Sequence, residues 1–405
     1  MSTQILTEPE KYFAEKKEEY IVQVKREIAR GKRLAIYGAG VIGKKLYRFL
    51  QRENIPVEFF CVTDPTANPP EKSGLPVKGI HAVDATGIVI LVGVKKASNP
   101  VVVKTLRDHG CEDWIEMPGW LPCYLDERFL RPLIQVTPKT GCSVNCRHCP
   151  QELFVNRYFS KARTAMMSFS DYKTCLDKTP ENTIIEFAGF GEPFLNPEAA
   201  EMMRYTASTG REVNLFTTLV GMTEEIWEKI KDIPFTMVVV HLPDTKLYAH
   251  IPLTEEYWKF LRMMANAKKV NGKPFIDLVN SQSLILPEAM EIVQDKNIQI
   301  SDTQLIDRAG SLQSDELQHG GVFRGALFCP TAARLDHNIM LADGSLVLCC
   351  MDFGMKHVMG NLLEESYEDI MNGKALQTLR KQMASETSDI LCRHCVRAKP
   401  LAEIE

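Results

Sequence analysis

The sequence predicts an α/β protein of two or three domains. Three observations predict it. Its 405 residues exceed what one domain usually holds. A strand, a glycine turn and a helix follow one another near the N-terminus, and strand–helix units repeat through the middle of the chain. Apolar residues at 45% and charged residues at 25% exclude a disordered or fibrous chain. With 48 basic against 52 acidic side chains, nothing in the charge points to a nucleic-acid partner. The longest apolar run, Gly87 to Val94, is strand-sized, well short of the roughly 20 residues that span a bilayer, so no membrane partner is expected. The N-terminus lacks a basic stretch followed by an apolar one, and the chain is expected to be cytoplasmic.

Residues 9–31 interleave acids and bases around apolar positions and stop at Gly31, the pattern of a helix with a charged outer face. KRLAIY then reads as a buried strand running into GAGVIG, with Gly38, Gly40 and Gly43 ahead of a helix, and PVEFFCVTD as a second strand ending at Asp64. This is a Rossmann-like unit, expected to span 1–125. Its glycines suit the approach of a phosphate to a helix N-terminus, and Asp64 suits a ribose hydroxyl, so a nucleotide or nucleotide-sugar is the ligand to test there. The competing reading is a scaffold in which the glycines only let the helix pack closely. From Ile134, the segments QVTPKTG, ENTIIEF, REVNLFTTL, PFTMVVVHL, KPFIDLVNSQS and NIQISDTQL read as strands separated by helices, which indicates a parallel sheet. Ser311 to Gly325 is polar and glycine-rich, a linker or loop. Residues 326–405 hold two short strands about Ala342-Asp343-Gly344 and a last helix.

Twelve cysteines are unusual for a reducing compartment, and their spacing explains them better than disulfides do. Cys142, Cys146 and Cys149 form C-x3-C-x2-C, three thiols on one short loop that must converge on one centre. Zinc would want a fourth ligand, for which His148 is at hand; three ligands and a vacancy suit an iron–sulfur cluster with one iron left open.

This triad, followed by GFGEP at Gly189, Phe190, Gly191, Glu192 and Pro193, resembles the radical S-adenosylmethionine (SAM) enzymes. The resemblance implies a six-stranded partial (β/α)6 TIM barrel over about 134–315, with ligands at the C-terminal ends of its strands. It implies a 4Fe–4S cluster on the three cysteines, chelated at its open iron by SAM, whose methionine end lies along the glycine motif. An electron delivered by a flavodoxin- or ferredoxin-type donor would cleave SAM to a 5′-deoxyadenosyl radical. Cys329, Cys349, Cys392 and Cys395 resemble the Twitch and SPASM extensions of that family, small α+β domains, here 326–405, that bind an auxiliary 4Fe–4S cluster. Cys350 is the alternative to Cys349, because consecutive strand residues face opposite sides and family spacing favours the first. Four cysteines in two pairs would also suit structural zinc. The N-terminal unit also resembles the small domains of sugar O-acyltransferases.

A fully ligated auxiliary cluster suits an electron acceptor, so the resemblance implies dehydrogenation of an alcohol carbon in a small hydroxylated, sugar- or cyclitol-like substrate. Epimerisation and peptide modification are the rivals within the class, and a non-catalytic cluster or nucleotide scaffold the rival outside it. The base is sought among His241 and Asp244, after the strand FTMVVV, and Asp277, beside FIDLVNSQS. Ser281 and Arg308 of DRAG are further cofactor-binding candidates.

Overall fold

The computed structural model describes residues 8–94, 98–118, 121, 131–332 and 334–403, so Cys123 and the expected domain end near 125 lie outside it. The described residues fall into two compact units, one within 5–130 and one within 131–400. None of their helices is long and apolar enough to cross a membrane.

The first unit begins with the helix Glu8–Ala29, which ends at Gly31 with φ +82°. Strands β1 (Arg33–Tyr37), β2 (Phe59–Val62), β3 (Glu71–Lys72), β4 (Leu75–Gly79), β5 (Ile88–Val92) and β6 (Trp114–Glu116) form one sheet in the order β3-β4-β2-β1-β5-β6. All pairings are parallel except β3 with β4. The strands are continuous apolar runs because both faces are buried. The glycine turn after β1 divides by position. A Cβ on Gly43 would lie 1.8 Å from the Gly38 carbonyl oxygen, and one on Gly38, whose φ is +103°, would meet Val94 and Gly93. These two glycines therefore let the helix Val41–Arg52 seat against its strand. Gly40 has open space around it, and the helix begins there without a side-chain cap. Asp64 spends its carboxylate on the backbone and hydroxyl of Thr66, 2.8 and 2.6 Å away.

The second unit is built on β7 (Leu133–Val136), β8 (Ile184–Phe187), β9 (Val213–Thr217), β10 (Met237–His241), β11 (Leu278–Asn280) and β12 (Gln299–Ile300). These pair in chain order, all parallel, with a helix between successive strands from β8 onward. Side chains alternate along them. Ile134, Val136, Ile185, Phe187, Leu215, Val238, Val240 and Val279 join one apolar core with helix residues such as Tyr172, Met202, Met203 and Phe260. Gln135, Glu186, Asn214, Phe216, His241 and Asn280 occupy the opposite face, the hollow of a partial barrel.

The C-terminal part adds β13 (Leu327–Phe328), β14 (His337–Met340), β15 (Ser345–Val347), β16 (Val358–Asn361) and β17 (Lys399–Pro400). β14 lies parallel to β7, and β15 and β16 follow it antiparallel, so the barrel sheet runs on into nine strands, β12-β11-β10-β9-β8-β7-β14-β15-β16. β13 pairs with β17 in a separate ribbon.

One buried arginine fastens the end of this part. Arg393, 4% exposed, donates to the carbonyls of Ser388 at 2.6 Å, Phe323 at 2.9 Å and Gly325 at 3.1 Å, and also to that of Ser385. It thereby ties the exit of the helix Lys374–Ala384 to the segment 323–325. Arg393→Ala leaves several buried carbonyls without donors and is expected to cost about 3 kcal/mol or more. A urea titration under anaerobic conditions should show the lower midpoint; an unchanged midpoint would contradict the assigned role.

Candidate active site

The loop that leaves β7 carries the cysteine triad, at the C-terminal end of the sheet. Gly141 at φ +85° and Asn145 at φ +42° turn the chain so that Cys142, Cys146 and Cys149 come within electrostatic reach of one another. Burial raises all three thiols, Cys146 to about 12, and the neighbouring sulfurs add to the rise at Cys142 and Cys146. Nothing in the described chain but the distant charge of Arg308 opposes this at Cys149, beyond a 3.4 Å contact from Gln151. A set of partly buried thiols costly to ionise becomes a thiolate set when a metal centre supplies positive charge among them. The donors therefore fit the cluster that the resemblance implies. Among the described residues, no three histidine, cysteine, aspartate or glutamate side chains close on one ion-sized point.

The loop is held from outside by residues 244–250. Arg147 donates its backbone N–H to the Tyr248 carbonyl at 2.7 Å, and His250 donates to that of Val144 at 3.1 Å. Asp244 builds this brace. Fully buried, it accepts from the N–H groups of Lys246, Tyr248 and Ala249 and from the Ser283 hydroxyl at 2.6 Å. Its carboxylate is thus a scaffold for the cysteine loop rather than an available base. His148, buried, packs edge-on against Tyr248 at 5.0 Å and has Nε2 3.3 Å from Glu316. A cavity of about 610 Å3 opens beside the loop, with Cys146, Cys149, Arg147, Lys246, Tyr248 and Leu312 in its wall.

GFGEP follows β8 immediately and crosses over the end of β7. Gly189 has φ +77°, and a Cβ there would lie 2.3 Å from Thr137 Oγ1, so the turn requires glycine. Thr137 Oγ1 accepts the N–H of Phe190 at 2.9 Å, and Gly191 passes close to the Lys139 carbonyl. Glu192 is buried, with its oxygens accepting from the Thr217 and Thr218 hydroxyls, both at 2.7 Å, and from the N–H groups of Thr218 and Phe194. Burial outweighs these four bonds and raises its carboxyl above the usual range. Pro193 starts the short 3-10 turn that follows. Gln151 links motif to triad, touching Cys149 and donating to the Phe190 carbonyl.

His241 ends β10 on its hollow-facing side, and its Nδ1 bonds Asn280 Oδ1 at the matching end of β11. A carbonyl oxygen only accepts, so Nδ1 carries the proton and Nε2 is the free basic nitrogen. Burial lowers the imidazole pKa below its ordinary value; the Asn280 bond opposes this and the charge of Arg308 adds to it. Ser281 follows directly, its hydroxyl held by the Ser283 carbonyl. Asp277 stands at the other end of β11. It precedes the strand, receives the Val238 N–H at 2.7 Å and pairs with the buried Lys269, away from the triad. Arg308 sits in a run of left-handed residues, φ +52°, +54° and +79° for Arg308, Ala309 and Gly310. Its guanidinium lies 5.8 Å from the Phe353 ring, and its Nε has no partner among the described residues.

A second thiol set forms in the C-terminal part. Cys349 feels Cys350, Cys392 and Cys329, while Cys392 and Cys395 both feel Cys329, and burial raises Cys349, Cys392 and Cys395. Asp352, fully buried, accepts from the N–H groups of Lys356 and His357, both at 2.8 Å, and shapes the loop behind Cys349. Phe353 then packs on Phe190 of GFGEP with ring centres 4.2 Å apart. Sequence reasoning passed over Gln135, Glu186 and Asn214 on the hollow face; a charged residue inside the apolar run TIIEF was the signal.

Residues 329–396 match the family model described as SPASM, an iron–sulfur cluster-binding domain. No curated protein sequence matches the chain. Among solved structures, the chain is similar to BtrN in complex with AdoMet and 2-DOIA, with 17% identity, TM-score 0.41, and 63% of this chain and 88% of that one covered. It is similar to Streptococcus suis SuiB bound to its precursor peptide SuiA, with 12% identity, TM-score 0.42, and coverage of 74% and 81%. A third is anSMEcpe with bound AdoMet, with 14% identity, TM-score 0.37, and coverage of 65% and 86%. Residues 329–396 thus form a SPASM iron–sulfur cluster-binding domain, and the C-x3-C-x2-C loop and GFGEP turn at one end of the parallel sheet resemble those of the radical SAM enzymes.

Proposed function

We propose that this enzyme dehydrogenates an alcohol carbon of a small hydroxylated substrate, sugar- or cyclitol-like, bound in the hollow of the barrel. The observation that carries the reading is the second thiol set, Cys392 and Cys395 buried and Cys329 and Cys349 partly so, in the same compact unit as the triad. An open cluster with SAM supplies a hydrogen-atom acceptor, and a fully cysteine-ligated cluster supplies an acceptor for the remaining electron. What is left to the chain is the proton, the fit of the substrate and the exclusion of water.

His241 is the base this reading selects. Its Nε2 is unprotonated at neutral pH because burial disfavours the charged ring, and Asn280 fixes its orientation. Asp244 and Asp277 are already committed to N–H groups and to Lys269. Thr137 and Glu192 hold the glycine turn, and Gln151 keeps that turn in register with Cys149.

Two outcomes follow. Anaerobic reconstitution should give about eight irons per chain, falling to about four in Cys142→Ala/Cys146→Ala/Cys149→Ala. Four irons with zinc in the wild type would remove the electron acceptor and favour a redox-neutral reaction. The depressed His241 pKa means the base is neutral above that value and is lost as pH falls through it. Turnover should therefore be level at neutral pH and decline only below the ordinary histidine range of about 6.5. His241→Gln should remove that acid limb and slow turnover roughly 10²- to 10⁴-fold. An unchanged acid limb in the variant would assign the base elsewhere.

A further inference from the structure

The hollow of the barrel contains a polar layer that the steps above leave unused. Gln135 on β7, Glu186 on β8 and Asn214 on β9 stand in one register row. Glu186 accepts from Gln135 Nε2 at 2.9 Å and from Asn214 Nδ2 at 3.1 Å. Glu186 and Asn214 are each only 4% exposed, and among the described residues Asn214 Oδ1 has no donor. Among the described residues, no lysine, arginine or histidine pairs with Glu186. The layer is therefore a carboxylate served by two neutral amides, beside an amide oxygen served by nothing.

Such a layer is costly. A buried carboxylate without a cation loses hydration that two amide bonds replace only in part, and the orphaned acceptor next to it loses hydration that is not replaced. The hollow is nevertheless open from its mouth: Gln135, Phe216, His241 and Asn280 are only half-buried on this face. A ligand entering there meets the Glu186 carboxylate and the orphaned Asn214 oxygen as acceptors, beside the second N–H of each amide. A hydroxyl brings one hydrogen to this pair, whereas an ammonium brings three and a charge that offsets the carboxylate. The row also lies deep. Asn214 is paired in register with Met237, four residues before His241 on β10.

We infer that Glu186 and Asn214, braced by Gln135, form a subsite for a protonated amine of the substrate, so that the substrate is an amino alcohol held amine-inward with its reacting carbon toward His241. This rests on the dehydrogenase reading in taking the hollow as the substrate chamber, an alcohol as the reacting group and His241 as the base; the amine subsite itself does not.

The test uses reconstituted holoenzyme and matched pairs that differ by one amine for one hydroxyl: D-glucosamine against D-glucose, and serinol against glycerol, by calorimetric titration. In each pair the amine should bind at least about tenfold tighter, the scale of a charge-assisted hydrogen bond. Glu186→Gln, isosteric and uncharged, should bring the two members within about twofold, with iron and sulfide content as in the wild type. Asn214→Leu, which removes only the orphaned acceptor and its amide, should lower amine binding several-fold and carries the test if Glu186→Gln does not load iron. Equal binding within pairs, no binding of either amine, or a preference that survives in both variants would overturn the subsite. Absence of 5′-deoxyadenosine from the wild type would sink the radical reading and leave an amine preference standing; its formation without that preference would sink only the subsite.

Discussion

The parallel pairing of β14 with β7 is the constraint on which the rest of the second unit depends. It runs from Leu133 opposite His337 to Val136 opposite Met340, and Thr137 continues it by donating to the Met340 carbonyl at 2.9 Å. β7 launches the triad loop from its end. β14 turns through Asp343-Gly344 into β15, and β15 launches Cys349. One seam therefore fixes both thiol sets to one sheet, and Phe353 on Phe190 closes the contact behind them. Because sheet register moves only in whole residues, the relation between the two sets is fixed in steps rather than continuously adjustable.

Around this seam, buried charge does two kinds of work. Glu192, Asp244 and Arg393 are saturated by donors or acceptors from their own chain, and each fastens a loop that carries or braces cysteines or the glycine turn. Such groups are costly to bury and specific once satisfied, because any shift of the loop leaves them unpaired. His241, Arg308, Glu186 and Asn214 differ. Each retains an atom without a partner or an unshared lone pair facing the hollow or its mouth. The division between satisfied and unsatisfied polar groups is the clearest physical mark of where ligand rather than protein completes the structure.

The first unit illustrates the same distinction on a smaller scale. Gly38 and Gly43 are required by packing, which is the scaffold reading of that turn, while Gly40 is not. Asp64 is occupied by Thr66. The spacing G-x-G-x-x-G is common to both uses, so only the neighbours of each Cα separate them.

By itself, the sequence determined what is local. Three cysteines within eight residues converge whatever the surroundings, GFGEP follows an apolar strand closely enough to be tied to its end, and apolar alternation is written into each barrel strand. Tertiary structure decided what depends on partners remote in the chain. Asp277 stands as a candidate base in the sequence because a strand's limits are invisible in an apolar run; the register shows it at the other end of its strand from the His241–Asn280 pair, bound to Lys269. Asp244 and Glu192 could not be known as scaffolds before Ser283, Thr217 and Thr218 came into reach. Nor does any periodicity announce that β14 joins β7, since an edge strand and its acceptor two hundred residues away carry no local sign of each other. Long-range pairing is chosen by the shape and unsatisfied backbone of an edge, and those exist only once the chain has folded.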